Sequence, residues 1–235
     1  MSPLIIALDF KQPESAIALA RALGPERCRF KIGKELFTRS GPALVSEMVK
    51  QGFEIFLDLK YHDIPNTVAQ ACLAAADLGV WMINVHALGG RKMLLAAREA
   101  LDKCQKRPLL VAVSILTSLD QADLDGVGLH GTLEDNVLRL ARLSHTSGLD
   151  GLVCSPHEIA TIRQAIGTQF KLVTPGIRLA NSLQDDQKRV MTASQALKSG
   201  TDYLVIGRPV TAVPNPLQAF LEIEASISAT STEQR

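Results

Sequence analysis

Residues 55–67 read Ile-Phe-Leu-Asp-Leu-Lys-Tyr-His-Asp-Ile-Pro-Asn-Thr, and they divide cleanly into two halves. The first half is a short apolar run of strand-forming residues. The second reaches Pro65, which favours the first turn of a helix. One strand feeding one helix is a β/α unit, and this one carries three charges, Asp58, Lys60 and Asp63, within six positions. Residues two apart on a strand share a face, so Asp58 and Lys60 project together while Leu57 and Leu59 point the other way. Charges on the inner face of an apolar strand are costly unless paired. The stretch therefore reads as a candidate active site.

Working outward, the same unit recurs. Apolar runs rich in β-branched residues occur at Leu4–Leu8, Arg29–Ile32, Ile55–Leu59, Met82–Val85, Leu109–Ser114, Gly151–Cys154, Lys171–Thr174 and Tyr203–Ile206. Between most of them lie stretches with helical apolar spacing. Examples are Ile17, Ala20 and Leu23 after Pro13; Val68, Cys72, Ala75 and Leu78 after Pro65; and Leu133, Val137, Leu140 and Leu143. The first four runs begin at 4, 29, 55 and 82, close to one strand–helix length apart. Eight such units predict a single-domain (β/α)₈ barrel over residues 1–225, with a flexible polar tail at 226–235. Two connections are stretched: Ser118 to Gly131, and Arg178 to Arg189. Long loops at the carboxyl ends of barrel strands usually carry function.

Composition narrows the function classes. The 235 residues are 46% hydrophobic but only 4% aromatic, which suits buried parallel strands under helices. A net charge of +1, with basic residues scattered singly, argues against nucleic acid as a partner. No apolar run approaches membrane-spanning length. The start, Met1 to Asp9, reads as a first strand and not a signal peptide, so a cytoplasmic location is expected. Cys28, Cys72, Cys104 and Cys154 show neither metal spacing nor a need for disulfides and read as small apolar fillers.

In barrel enzymes the site lies at the carboxyl ends of the strands. Those ends hold Asp9, Lys31, Asp58 with Lys60, His86, Thr117, Ser155, the run Pro175 to Arg178, and Gly207-Arg208. A rim salt bridge accounts for any one charge taken alone, but not for the set. Phosphate is expected at the last two ends, where Gly176 and Gly207 allow close backbone approach and Arg208 offers a bidentate donor. The Gly126–Gly131 segment matches a dinucleotide pattern, yet no strand leads into it. His62 reads as exposed, His86 as a pocket residue or a core histidine satisfied by hydrogen bonds, and Ser155 as a helix cap. His130, His145 and His157 form no metal spacing.

Asp58-x-Lys60-x-x-Asp63-Ile-Pro-Asn-Thr67 resembles the signature of orotidine 5′-phosphate decarboxylases. The Ala7-Leu8-Asp9, Lys31-Ile32-Gly33, Leu116-Thr117-Ser118, Thr174 to Arg178 and Val205 to Arg208 stretches agree with that family, in its order. The resemblance implies a charged tetrad of Lys31, Asp58, Lys60 and Asp63. It implies Lys60 as proton donor to pyrimidine C6 and Asp58 facing the substrate carboxylate. Asp9 and Lys31 would contact the ribose 3′-hydroxyl, and Asp63 and Thr67 from a partner subunit the 2′-hydroxyl. Thr117 would read the pyrimidine edge; Arg208, Gly207 and Gln187 would hold phosphate, with Arg178 nearby in the strand-seven loop. It further implies a homodimer with composite sites, orotidine 5′-monophosphate as substrate, and no metal or other cofactor. Related sugar-phosphate barrels share the Asp-x-Lys-x-x-Asp core but put a magnesium-binding glutamate on strand two, where this chain has Lys31. A barrel that only binds a phosphorylated ligand is the remaining alternative, and loss of a tetrad residue would have favoured it.

Overall fold

Each apolar run becomes a strand because its neighbours bury both of its faces. The computed structural model describes residues 2–178 and 191–232, with strands β1 (Leu4–Ala7), β2 (Arg29–Gly33), β3 (Ile55–Tyr61), β4 (Met82–His86), β5 (Leu109–Val113), β6 (Gly151–Val153), β7 (Lys171–Thr174), β8 (Ile177–Arg178), β9 (Met191–Thr192) and β10 (Tyr203–Ile206). Eight of them close into an all-parallel barrel in the order β1-β10-β7-β6-β5-β4-β3-β2. The expected (β/α)₈ barrel is the observed one, with each strand within two residues of its expected limits and Lys171–Thr174 and Tyr203–Ile206 matching outright. β8 and β9, on either side of the stretched connection, form a separate two-stranded ribbon.

Period-two alternation splits the core into two layers. Ile5, Phe56, Met82, Val111 and Val173 point inward and fill the barrel. Leu4, Ile6, Phe30, Ile32, Ile55 and Leu57 point outward and meet the helices, with Val68 and Cys72 of helix Pro65–Asp77 and Leu140 and Ala141 of helix Leu133–Thr146 in the same cluster. Pro13, Pro65 and Pro216 open their helices, while Thr132 caps the helix at 133 through a reciprocal pair with Asp135.

The stretched connection after β5 is not a bare loop. It contains a short helix, Gln121–Gly126, started by the Asp120–Asp123 capping pair. The polarity that suggested a loop comes from those caps. At the end of the chain, helix Pro216–Thr232 continues past residue 225, and Ile227 is buried, so the helical part extends beyond the limit expected for the barrel.

The amino-terminal mouth is closed by a repeated ionic latch. Glu54, Asp150 and Asp202 each stand one residue before a barrel strand, and each pairs with a basic side chain near the start of the neighbouring strand. Arg29 Nε lies 2.8 Å from Glu54 Oε2, and its guanidinium stacks on Trp81 at 4.3 Å. Asp150 takes Arg107 through two bonds of 2.7 and 3.0 Å and accepts the Leu110 N–H. Asp202 accepts from Arg163 at 2.6 Å, from Lys171 at 3.0 Å and from the Leu172 N–H at 2.8 Å. In the last two cases the carboxylate bonds the second residue of the neighbouring barrel strand, which fixes the stagger between strands.

Asp202→Ala should therefore cost about 2–4 kcal/mol, because it leaves a largely buried Arg163 with carbonyl acceptors but no counter-charge, and a strand N–H without its acceptor. Urea unfolding compared with the wild type measures this; a loss below about 0.5 kcal/mol, the range of neutral surface changes, would show the latch to be ornamental.

Candidate active site

The opposite mouth collects charge. β1, β2 and β3 are neighbours in the barrel, and together they deliver four inward charges: Asp9 just past β1, Lys31 on β2, Asp58 and Lys60 on β3. They form an alternating chain. Lys31 Nζ lies 3.0 Å from Asp9 Oδ1 and 3.4 Å from Asp58 Oδ2, and Lys60 Nζ lies 2.7 Å from Asp58 Oδ1. The Lys31 and Asp58 side chains are only 10% and 11% exposed, so each depends on the opposite charges around it to stay ionised.

Electrostatics holds both ionised. Burial raises the Asp58 carboxyl toward neutrality, but Lys31, Lys60 and hydrogen bonds from Lys60 and Asn84 outweigh it and bring it below the usual carboxylate range. Burial likewise lowers Lys31, while Asp58 and Asp9 more than offset it and leave the ammonium harder to deprotonate than a free lysine. Gly33 makes room for this pair. A Cβ there would stand 3.0 Å from Lys31 Nζ and 3.2 Å from Asp9 Oδ1.

β3 does not run straight through the site. Its register against β4 shifts between Leu57 and Tyr61, and Lys60 adopts φ 52°, the one positive φ at a non-glycine among the described residues. Such a conformation costs about 1–3 kcal/mol and persists only when surrounding contacts impose it. The displaced Lys60 N–H is accepted by Asn84 Oδ1 at 2.8 Å, and Asn84 Nδ2 donates to Asp58 Oδ1 at 2.6 Å. Asn84 escaped the sequence reading. Its signal was an amide two residues from Met82 on the inward face of an apolar strand.

A cavity of about 570 Å³ opens over this chain. Asp9, Lys31, Asp58, Lys60, Thr117, Gly207 and Arg208 line it, together with Ser118, Pro175, Gly176 and Thr211. Its size suits a small polar ligand. Thr211 was not anticipated; it follows Arg208 by three residues in the short helix Arg208–Thr211. Asp63 and Thr67 stay outside this cavity and are exposed; the Asp63 carboxylate accepts only its neighbour's Ile64 N–H among the hydrogen bonds of the described residues. Gln187 lies outside the described residues, as does the side chain of Arg178, and with them most of the Arg178–Arg189 segment.

The histidines and Ser155 sort as follows. Ser155 caps the 3₁₀ turn at 156–158, accepting from the His157 N–H. The Gly126–Gly131 segment follows a helix and has no strand before it. His62 is exposed, and its ring lies 5.5 Å from that of His86. His86 departs from the satisfied core histidine of the sequence reading: its buried Nδ1 finds no partner among the described residues. Burial first, then His62, Lys60 and Lys34, push His86 down to about 4. Among the described residues no helix is long and apolar enough to cross a membrane.

Comparison with known proteins assigns the lineage. A profile of the "Orotidine 5'-phosphate decarboxylase / HUMPS family" matches residues 2–223. An orotidine 5′-phosphate decarboxylase from Nitrosococcus oceani is 59% identical over 97% of this chain and 98% of its own. One from Chromobacterium violaceum is 57% identical over 97% of this chain and 92% of its own. Among solved structures, the orotidine 5′-phosphate decarboxylase of Lactobacillus acidophilus superimposes with a TM-score of 0.86 at 36% identity, covering 97% of this chain and 99% of that one. The chain belongs to the orotidine 5′-phosphate decarboxylase / HUMPS family.

The depressed His86 carries a stability consequence with a defined sign. Between pH 6.5, the ordinary histidine value, and about 4, the unfolded chain binds a proton at this position that the folded chain refuses. Its contribution is fully present above pH 6.5 and is lost as pH falls toward 4. His86→Leu should therefore flatten the decline in melting temperature across that window. An unchanged slope would mean that the folded protein protonates His86 as readily as the unfolded chain does.

Proposed function

We propose that this chain converts orotidine 5′-monophosphate to UMP and CO₂ without a cofactor, in the synthesis of pyrimidines, as a cytoplasmic homodimer. The observation that carries this reading is the Asp9–Lys31–Asp58–Lys60 chain under one cavity, buried at its Lys31–Asp58 centre, with Asp58 held ionised and a lysine ammonium at its open end. Family membership and the names of its relatives support the same substrate. Lys31 argues against the sugar-phosphate branch. Its ammonium sits between two carboxylates, on the strand where those barrels place a metal-binding glutamate.

In this reading the C6–carboxylate bond breaks and its electron pair stays on C6, in an orbital the pyrimidine ring does not delocalise well. The Lys60 ammonium, fixed before the reaction starts, stabilises that charge and then delivers a proton to C6, which is electrostatic preorganisation followed by general acid catalysis. Asp58 faces the departing carboxylate. Two unit charges at about 4 Å repel by about 4 kcal/mol at an effective dielectric near 20. Thr117 would contact the base, Asp9 and Lys31 the ribose, and Arg208 with Gly207 the phosphate, joined by Gln187 and Arg178 from the strand-seven segment. Binding energy from the remote phosphate would then serve the reacting end.

Asp63 and Thr67 fit a composite site. Both are exposed and outside their own cavity, and the intervening Ile64 is 67% exposed, a large apolar side chain suited to a partner's surface. A second copy would receive all three.

Lys60→Ala should lower decarboxylation by several orders of magnitude while the protein stays folded, and exhaustive chelation should leave the wild-type rate unchanged. Following the loss of orotidine 5′-monophosphate absorbance tests both. A variant that keeps a tenth of the rate, or a wild type that needs magnesium, contradicts the assignment.

Subunit sharing has its own test. Lys60→Ala and Asp63→Ala homodimers should each be nearly inactive, yet mixing them under exchange should restore activity. One site of each heterodimer then collects both substitutions and the other is intact. Failure to recover activity despite demonstrated exchange would mean that Asp63 serves its own subunit.

A further inference from the structure

We propose that Asn84 is a positioning residue for the decarboxylation, its one amide setting the height and spacing of Asp58 and Lys60. The inference rests on the reaction proposed above and adds a group that the charged motif does not contain. Asn84 is wholly buried on β4 and points into the barrel, on the side where β4 meets β3. Its amide oxygen accepts the Lys60 N–H at 2.8 Å, and its amide nitrogen donates to Asp58 Oδ1 at 2.6 Å, the same oxygen that takes Lys60 Nζ at 2.7 Å. Backbone, carboxylate and ammonium are thereby tied to a single planar group.

The chemistry of the two partners dictates the residue type. A backbone N–H needs an acceptor and an ionised carboxylate needs a donor, so the group between them must offer both within one short side chain. Asparagine does; aspartate accepts only, and leucine of similar size does neither. The need arises because β3 breaks register here and Lys60 turns to φ 52°, which takes its N–H out of the strand ladder. Without the amide, that N–H would be buried and unpaired, and Asp58 would lose one of the donors that keep its charge where the substrate carboxylate must arrive. The groups facing Asp58 are Lys31 from β2, Lys60 from its own strand and Asn84 from β4, with Asp9 behind Lys31 and His86 two residues beyond Asn84.

Misplacing reacting groups by about 1 Å can cost about 100-fold in rate, whereas contacts to ribose and phosphate do not pass through Asn84. Asn84→Ala should therefore lower kcat by about 10- to 100-fold with KM and UMP affinity within about threefold of wild type. Asn84→Asp keeps the acceptor for Lys60 but sets a second carboxylate against Asp58. The pair should then share one proton as pH falls, restoring a donor between them. Its kcat should rise toward acid pH relative to that of Asn84→Ala.

The measurement is kcat and KM for orotidine 5′-monophosphate between pH 5 and 8, with UMP affinity by titration, on wild type and both variants. A wild type that does not decarboxylate this substrate would overturn the reaction itself and leave no role for Asn84 to serve. With an active wild type, three outcomes overturn the positioning role alone. They are near-normal kcat in Asn84→Ala, loss of UMP binding in parallel with kcat, and an Asn84→Asp profile that tracks Asn84→Ala at every pH.

Discussion

The carboxylate of Asp58 has to stay charged in a place that disfavours charge. At 11% exposure it is tolerable only because two ammonium groups and an amide converge on it. That convergence demands a closed barrel. Lys31 comes from β2, Asp58 and Lys60 from β3 and Asn84 from β4, three adjacent strands whose inward faces meet at one mouth. A slip of one residue in any register would turn its group into the outer layer, where Leu57 and Ile83 pack against helices. The apolar middle layer of Ile5, Phe56, Met82, Val111 and Val173 gives the barrel a packed floor beneath the charges.

The two mouths divide the work. At the amino-terminal end, Glu54, Asp150 and Asp202 pair with basic partners along the barrel wall and tie strand to strand. At the carboxyl-terminal end the same residue types form a chain that turns toward an open cavity. Similar ion pairs thus have different consequences. The first set is spent on register, and the second leaves Lys60 facing the space where a ligand would sit.

Much of this was legible in the residues. The regular spacing of apolar runs marked the eight barrel strands, because burial on both faces leaves an unbroken apolar signature. Asp58, Lys60, Lys31 and Asp9 stood out as charges at strand ends. Features that depend on exact backbone path did not stand out. The left-handed Lys60 is invisible in a string of strand formers, since nothing in Leu-Lys-Tyr announces a break in register. Asn84 looked like one polar residue among apolar ones until the break in β3 supplied it with a partner. The helix at 121–126 was hidden because six residues with polar caps lack a helical stripe. The latches at the other mouth escaped because their partners lie 25 or more residues apart.

The two lysines of the ionic series Asp9–Lys31–Asp58–Lys60 are not equivalent, and their contacts differ in how free each is to act. Lys31 lies between two carboxylates, is 10% exposed, and is harder to deprotonate than an ordinary lysine. Giving up its proton would strand Asp9 and Asp58 beside a neutral amine. Lys60 meets one carboxylate, Asp58, among the described residues and is 26% exposed on the cavity side. In the proposed reaction the substrate's carboxylate departs as neutral CO₂, its charge passes to C6, and the Lys60 proton then neutralises it, so the local charge count stays balanced. Lys31 then keeps Asp58 paired throughout the transfer. An acid at the open end of the chain and a permanent counter-ion at its closed centre is the assignment that never requires an isolated buried charge.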